Sequence, residues 1–301
     1  MRLTHIQLAE ISLAPEAELK QQTLYTGDSM QISRRSFLTS TSAVLATAAC
    51  PQVFAKTVRQ PSTKKGLGGA APLASGLVTN WYYNWGVTPS TKGMPTSDPS
   101  MHFMPMIWGW YPEKTPAILE GLRAQHPSIL LGFNEPDHRD QSNIPVNVAL
   151  DAWPQLEGIA TELVSPAAAN PLGPWMQQFM EGVEKRKLHV DSIGVHGYPG
   201  PSSMHFLDTL HRVHDLYRRP IWVTEFAVAD WQAKQGVANR YSVSQTAEFM
   251  EEVCTEMDKI PWIKGYAWFP FAEKSSNALQ TSTLFDADGN LNNLGKIYAR
   301  L

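Results

Sequence analysis

The chain has 301 residues, a hydrophobic fraction of 43%, a formal net charge of -3 at pH 7 and a sequence pI of about 6.3. That composition suits one barrel-sized core better than two small domains, and it lacks the broad cationic field that neutralises many phosphates, which argues against nucleic acid as a partner. Ten Trp, nine Tyr and eleven Phe supply rings that fill cores and also stack on the apolar faces of sugars.

In chain order, the first feature is an export address. Ser33-Arg34-Arg35-Ser36-Phe37-Leu38-Thr39 precedes a small-residue run from Ser40 to Ala49 and then Val53-Phe54-Ala55, small or apolar residues where a signal peptidase cuts. This order reads as a twin-arginine signal, so residues 1–55 are expected to be an N-terminal extension and leader, and the mature protein periplasmic or secreted. Met30 is as well placed a start as Met1, lying four residues before the arginine pair. No stretch reaches the ~20 consecutive apolar residues that span a bilayer, so no membrane association is expected once the leader is cut. Of the two cysteines only Cys254 follows the leader, which leaves no intrachain disulfide. Residues 56–75, rich in Gly, Pro, Ser and Lys and containing Gly66-Leu67-Gly68-Gly69, read as a linker, and 76–301 as the folded domain.

From Leu77 onward, short apolar runs alternate with segments of helical period, the pattern of parallel strands joined by crossover helices. Seven strands are predicted, over 77–85, 103–108, 129–134, 162–167, 192–198, 221–226 and 265–271. Thr115-Pro116 can cap and open a helix carrying Ile118, Leu119 and Leu122, and Gly173-Pro174 opens one with Met176, Phe179, Met180 and Val183 on one face. Ser203 is a candidate cap for the next helix, and Ser244 for the one bearing Met250, Cys254 and Met257.

Alternation of this kind permits an open doubly wound sheet or a closed barrel. The strand ends decide between them. They carry Asn84-Trp85, Trp108-Gly109-Trp110-Tyr111, Asn134-Glu135, Asn170, His196-Gly197-Tyr198, Glu225-Phe226 and Trp268-Phe269. So many polar and aromatic strand ends converge when all the C-terminal ends surround one opening, as in a (β/α) TIM-type barrel, here shortened or irregular against eight full units.

Two of these ends carry glutamates. Ile129-Leu130-Leu131-Gly132-Phe133 ends in Asn134-Glu135-Pro136-Asp137, where Pro136 has no N–H and biases Glu135 towards an extended backbone. Ile221-Trp222-Val223-Thr224-Glu225 repeats the design. Cleavage of a glycosidic bond needs one carboxylic acid to protonate the leaving oxygen and one carboxylate to attack or stabilise the anomeric carbon. A gap of ~5–5.5 Å between them gives retention, and ~6.5–9.5 Å gives inversion.

With Trp81-Tyr82-Tyr83-Asn84-Trp85, Phe103-Met104-Pro105-Met106-Ile107-Trp108-Gly109, Gly132-Phe133-Asn134-Glu135-Pro136-Asp137, His196-Gly197-Tyr198 and Trp222-Val223-Thr224-Glu225-Phe226, the chain from about Leu77 to Leu301 resembles glycoside hydrolase family 128. The resemblance implies a β-1,3-glucanase on a shortened barrel, retaining and endo-acting, with Glu135 as acid/base and Glu225 as nucleophile in a double displacement. It also implies that Asn134 binds the sugar 2-hydroxyl. His196 and Tyr198, one strand before the nucleophile, are expected to orient Glu225 or bind a hydroxyl, and Trp108, Trp231 and Trp268 are candidate sugar platforms.

Five histidines lie between His189 and His214, but their spacing matches no His-Glu-x-x-His or paired-Cys metal motif, so neither metal nor other cofactor is expected. No Gly-x-Ser-x-Gly elbow points to an esterase. The competing class is a β-glucan-binding barrel without turnover, which the aromatic residues suit equally; the glutamate pair separates the two. Nothing in the pattern demands more than a monomer.

Overall fold

The computed structural model describes residues 61–69, 76–89, 101–234, 236–272 and 276–301. The expected twin-arginine signal and the rest of residues 1–55 lie outside them. The strands are β1 (Lys65–Gly68), β2 (Trp81–Tyr83), β3 (His102–Phe103), β4 (Ile129–Leu131), β5 (Glu162–Val164), β6 (Ile193–Gly197), β7 (Ile221–Phe226) and β8 (Ile263–Trp268). The helices are α1 (Thr115–Gln125), α2 (Val146–Ala152), α3 (Pro174–Arg186), α4 (Ser203–Tyr217), α5 (Val243–Lys259) and α6 (Asn293–Arg300). Among the described residues no helix is long and apolar enough to cross a membrane.

Among the described residues, every pairing between these eight strands is parallel. Six strands form one sheet in the order β3-β2-β1-β8-β7-β6, and β4 pairs with β5 in a second. Isolated parallel bridges lie at both seams, Met106 with Leu131 and Val164 with Ser192. Alternate residues meet different surroundings. Trp81, Tyr83, Leu131, Val164, Trp222 and Ala267 belong to a small apolar group built only from strands and their continuations. Their neighbours Tyr82, Leu130, Leu163, Val223 and Trp268 belong to a larger group shared with Leu119, Phe179, Phe206, Phe249 and Tyr298 of the helices. A strand that buries both faces reads as a continuous apolar run, which is how β4 and β7 were legible.

The stretch predicted as a linker contains β1, the one strand sequence reasoning missed. Its glycine makes room for a ring: a Cβ on Gly66 would lie 2.1 Å from Trp81 Cε2, and one on Gly265 would lie 2.2 Å from Trp222 Cζ3. The two indoles meet edge to face with centroids 5.2 Å apart. The lysines that suggested a solvated segment are helix caps. Lys65 Nζ, fully buried, donates to the carbonyls of Tyr298 (2.8 Å) and Ala299 (3.2 Å) at the end of α6. Lys64 Nζ donates to those of Met257, Asp258 and Ile260 at the end of α5. Carbonyls at a helix C-terminus have no partner in the helix and carry partial negative charge, so they attract both ammonium groups, while burial lowers the Lys64 pKa.

The helix starts differ from the expected caps by one or two residues. Ser202, not Ser203, caps α4 by accepting from His205 N, and Ser242, not Ser244, caps α5 in a reciprocal pair with Gln245. Thr115 is the first residue of α1 rather than its cap, and its hydroxyl accepts from Tyr111 N at 2.9 Å.

Candidate active site

The position of Glu225 depends on an irregularity in β7. Val195 of β6 pairs with Val223, but the next pair is His196 with Glu225, so Thr224 is an extra residue on the β7 side. An inserted residue of this kind re-aims the side chain that follows it. Val223 packs on the helix side, and Glu225 points to the other, beside His196.

There the carboxylate is almost fully buried and satisfied by three aromatic donors. Tyr83 OH donates to Oε1 at 2.7 Å, Trp85 Nε1 donates to the same oxygen at 2.8 Å, and Tyr198 OH donates to Oε2. Burial and then the Glu225 charge push both phenols well above their ordinary pKa. Both therefore stay protonated and keep donating.

Glu135 follows β4. Its N–H donates to the Ala167 carbonyl at 2.8 Å, and its own carbonyl accepts from His138 N at 3.0 Å. Its φ is 40°, in the left-handed region, and not the extended conformation expected before Pro136. The two hydrogen bonds bend the chain sharply at the strand end, and this tertiary demand overrides the local preference.

His196 joins the two glutamates. Its Nδ1 lies 2.8 Å from Glu135 Oε1 and its Nε2 3.6 Å from Glu225 Oε1. Burial of the ring lowers its pKa, but the Glu225 charge, the hydrogen bond it donates to Glu135 and the Glu135 charge outweigh that, and the net shift is upward. One ligand-type atom from each of Glu135, His196 and Glu225 lies within 4.8 Å of the others, the one described group with spacing that could hold a metal ion. The three aromatic donors on Glu225 suit a free carboxylate better than a metal ligand.

Residues 66–298 match the family model for the glycosyl hydrolase catalytic core. The chain belongs to glycoside hydrolase family 128. An endo-β-1,3-glucanase of this family from Amycolatopsis mediterranei, crystallised as a mutant with laminaripentaose, superposes with a TM-score of 0.66 at 31% identity. The match covers 79% of this chain and 98% of that one. A family 128 oligosaccharide-binding protein from Trichoderma gamsii superposes at 0.64 with 22% identity, over 78% of this chain and 92% of that one, a likeness of fold alone. Alkali-sensitive linkage protein 1 of Schizosaccharomyces pombe is 27% identical over 228 residues, 73% of this chain. This chain spans 40% of that relative's length.

Around the two glutamates, Asn134 donates through Nδ2 to Gln141 Oε1 at 3.1 Å, while its Oδ1 is buried without a partner. Trp231 is 40% exposed; its Nε1 donates to the Tyr198 carbonyl at 3.1 Å, and its ring meets the Tyr198 ring edge to face at 5.9 Å. The Trp231 loop is tied down by buried Asp230, which accepts from Arg240 Nη2 at 2.7 Å. That ion pair holds the Asp230 carboxyl below the usual carboxylate range. Trp108 is half-buried against the strand-lined apolar group, and its carbonyl accepts from Asn134 N at 2.9 Å.

Trp268 is corrected to a core residue. It is fully buried, its Nε1 donates to the Ser282 carbonyl at 2.8 Å, and it packs edge to face on Phe226 at 5.0 Å. Strand alternation puts Ala267 on the inner side and Trp268 on the helix side. The next residue, Phe269, is the ring near the site, between Trp85 (6.0 Å) and Tyr198 (5.7 Å).

Sequence reasoning also passed over Tyr83 and Trp85 as site residues. The signal was the aromatic run at the end of β2, where Trp81 and Tyr83 share a face two residues apart. His211 and His214 lie against Trp262 at 5.0 and 4.3 Å between centroids, which accounts for both by packing.

Proposed function

We propose that this chain is a retaining, endo-acting β-1,3-glucanase that works by double displacement. The observation that carries the reading is the spacing of Glu135, His196 and Glu225, whose nearest ligand-type atoms all lie within 4.8 Å. A gap of ~5–5.5 Å between carboxyl groups lets one attack the sugar directly, whereas inversion needs room for a water.

In the first step Glu225 attacks the anomeric carbon while Glu135 gives its proton to the departing oxygen. In the second, water attacks the glycosyl-enzyme, Glu135 takes the water's proton and Glu225 is released. His196 positions both carboxyl groups. The unpartnered Asn134 Oδ1 accepts from the sugar 2-hydroxyl, a contact that strengthens towards the transition state. Trp231 and Trp108 offer faces for glucose rings further along the chain.

The remaining expectations fit this reading. The eight strands close into a barrel, supported by the two seam bridges and by the apolar group made only of strand residues. A chain exported by the twin-arginine route and acting as a periplasmic or secreted monomer would meet polymeric glucan outside the cytoplasm.

The second reading is a β-glucan-binding protein without turnover. The two glutamates with their hydrogen-bonded support favour the enzyme. Purified protein on laminarin or curdlan is expected to release reducing sugars, and Glu225→Gln to bind laminari-oligosaccharides without cutting them. Binding by the unaltered protein with no sugar release sinks the enzyme reading.

A further inference from the structure

The end of β2 holds a bulky residue in a backbone conformation it disfavours. Trp85 has φ 59°, a region uncommon for large side chains and one that persists where the surroundings impose it. The imposing residue is Asn84. Its Oδ1 accepts from Gly86 N at 3.1 Å and its Nδ2 donates to the Thr88 carbonyl at 3.0 Å, a local ring of hydrogen bonds around Trp85. Gly86 is pinned from the next segment, its carbonyl accepting from Met106 N at 2.9 Å. The outcome is the 2.8 Å hydrogen bond from Trp85 Nε1 to Glu225 Oε1, with the indole held edge to face by Tyr83 (5.2 Å) and Phe269 (6.0 Å).

We propose that Trp85 is a positioning residue for Glu225, held by the Asn84 turn so that its indole N–H stabilises the carboxylate as it leaves the sugar. The inference rests on the retaining reading above. Glu225 Oε1 takes two donors, from Tyr83 and Trp85, and Oε2 takes one, from Tyr198. The less engaged Oε2 therefore forms the bond to the anomeric carbon. As that bond forms, the carboxylate loses its negative charge, and donors on Oε1 gain nothing. In the second step a water oxygen bonds to the anomeric carbon and Glu135 takes the water's proton. The carbon–Oε2 bond breaks, its electron pair returns to Glu225, and charge grows again on both oxygens. A donor already aimed at Oε1 stabilises this returning charge without reorganisation. Trp85 thus acts on release of the glycosyl-enzyme more than on its formation.

The test uses the purified chain and a 2,4-dinitrophenyl β-laminaritrioside, whose good leaving group makes the second step limiting. Trp85→Phe is expected to lower kcat by ~10–100-fold, the effect of one hydrogen bond to a charged group. KM should fall in parallel, leaving kcat/KM within about threefold, and the glycosyl-enzyme should accumulate in intact-mass spectra at steady state. Asn84→Ala, which leaves every donor to Glu225 in place, should shift the same readouts less, and should add nothing in the Trp85→Phe background. If Trp85→Phe does not fold, Asn84→Ala alone decides by its kcat and intermediate. An unchanged kcat, or a kcat/KM that falls as steeply as kcat with no accumulated intermediate, overturns the inference. Glu225→Gln in the same assay separates the two levels. If it stays active, the retaining reading fails; if it is inert while Trp85→Phe keeps its kcat, the Trp85 inference alone fails.

Discussion

Val223 and Glu225 are two residues apart in one strand and lie on opposite sides of it. In a regular strand residues i and i+2 share a face, and Glu225 would then sit with Val223 against the helices. Thr224, the inserted residue, prevents this, and the catalytic proposal depends on it.

Thr224 is 1% exposed and its hydroxyl has no hydrogen-bond partner. Its backbone, not its oxygen, makes the irregularity. Thr224→Val should therefore keep glucanase activity and raise stability by about 1 kcal/mol, because an unsatisfied buried hydroxyl is removed at nearly constant shape. Urea unfolding checks the stability and reducing-sugar release the activity. A large loss of activity would mean that the hydroxyl touches substrate.

The two glutamates should respond differently to the leaving group. On laminarin, Glu135→Gln and Glu225→Gln are each expected to lose about 10³-fold or more in kcat. On a dinitrophenyl glycoside, whose departure needs no proton, formation of the glycosyl-enzyme should survive in Glu135→Gln and remain abolished in Glu225→Gln. Pre-steady-state release of dinitrophenol distinguishes them, and identical behaviour would reject the assigned roles.

His196 gives the site a pH signature. Its folded pKa lies above the ordinary 6.5, because the Glu225 and Glu135 contributions exceed the opposing effect of burial. Folding therefore favours the charged ring, and the stabilisation is fully present below pH 6.5. It is lost as pH rises through the raised folded value. The melting temperature of the unaltered protein minus that of His196→Gln should fall as pH is taken upward from 6.5. A difference that grows with pH would contradict the assignment.

Trp231 and Trp268 separate a surface platform from a core ring. Trp231→Ala should raise KM for laminari-oligosaccharides by ~3–10-fold, as expected for loss of one aromatic face, and leave the melting temperature nearly unchanged. Trp268→Ala should cost about 3–5 kcal/mol of stability, as for other buried aromatic truncations. Thermal and urea unfolding together with oligosaccharide kinetics test both. The reverse pattern would return Trp268 to the cleft.

The sequence by itself determined much of this protein. Apolar runs ended by polar residues marked seven of the eight described strands, because a strand buried on both faces needs apolar side chains throughout. The same logic placed Glu135 and Glu225 at strand ends. β1 escaped, since Gly66 is required by the Trp81 indole, Lys65 by carbonyls at the end of α6 and the preceding Lys64 by carbonyls at the end of α5, and none of those partners is local. Trp268 and Phe269 were interchanged because alternation says which residues share a face but not which face is inside. Only the tertiary structure decided that an extra residue in β7 turns Glu225 towards His196. It alone brought Tyr83 and Trp85, separated from Glu225 by 142 and 140 positions, onto the same carboxylate. Hydrogen-bond register and long-range donors arise from strands packing side by side, and no local pattern of residues encodes them.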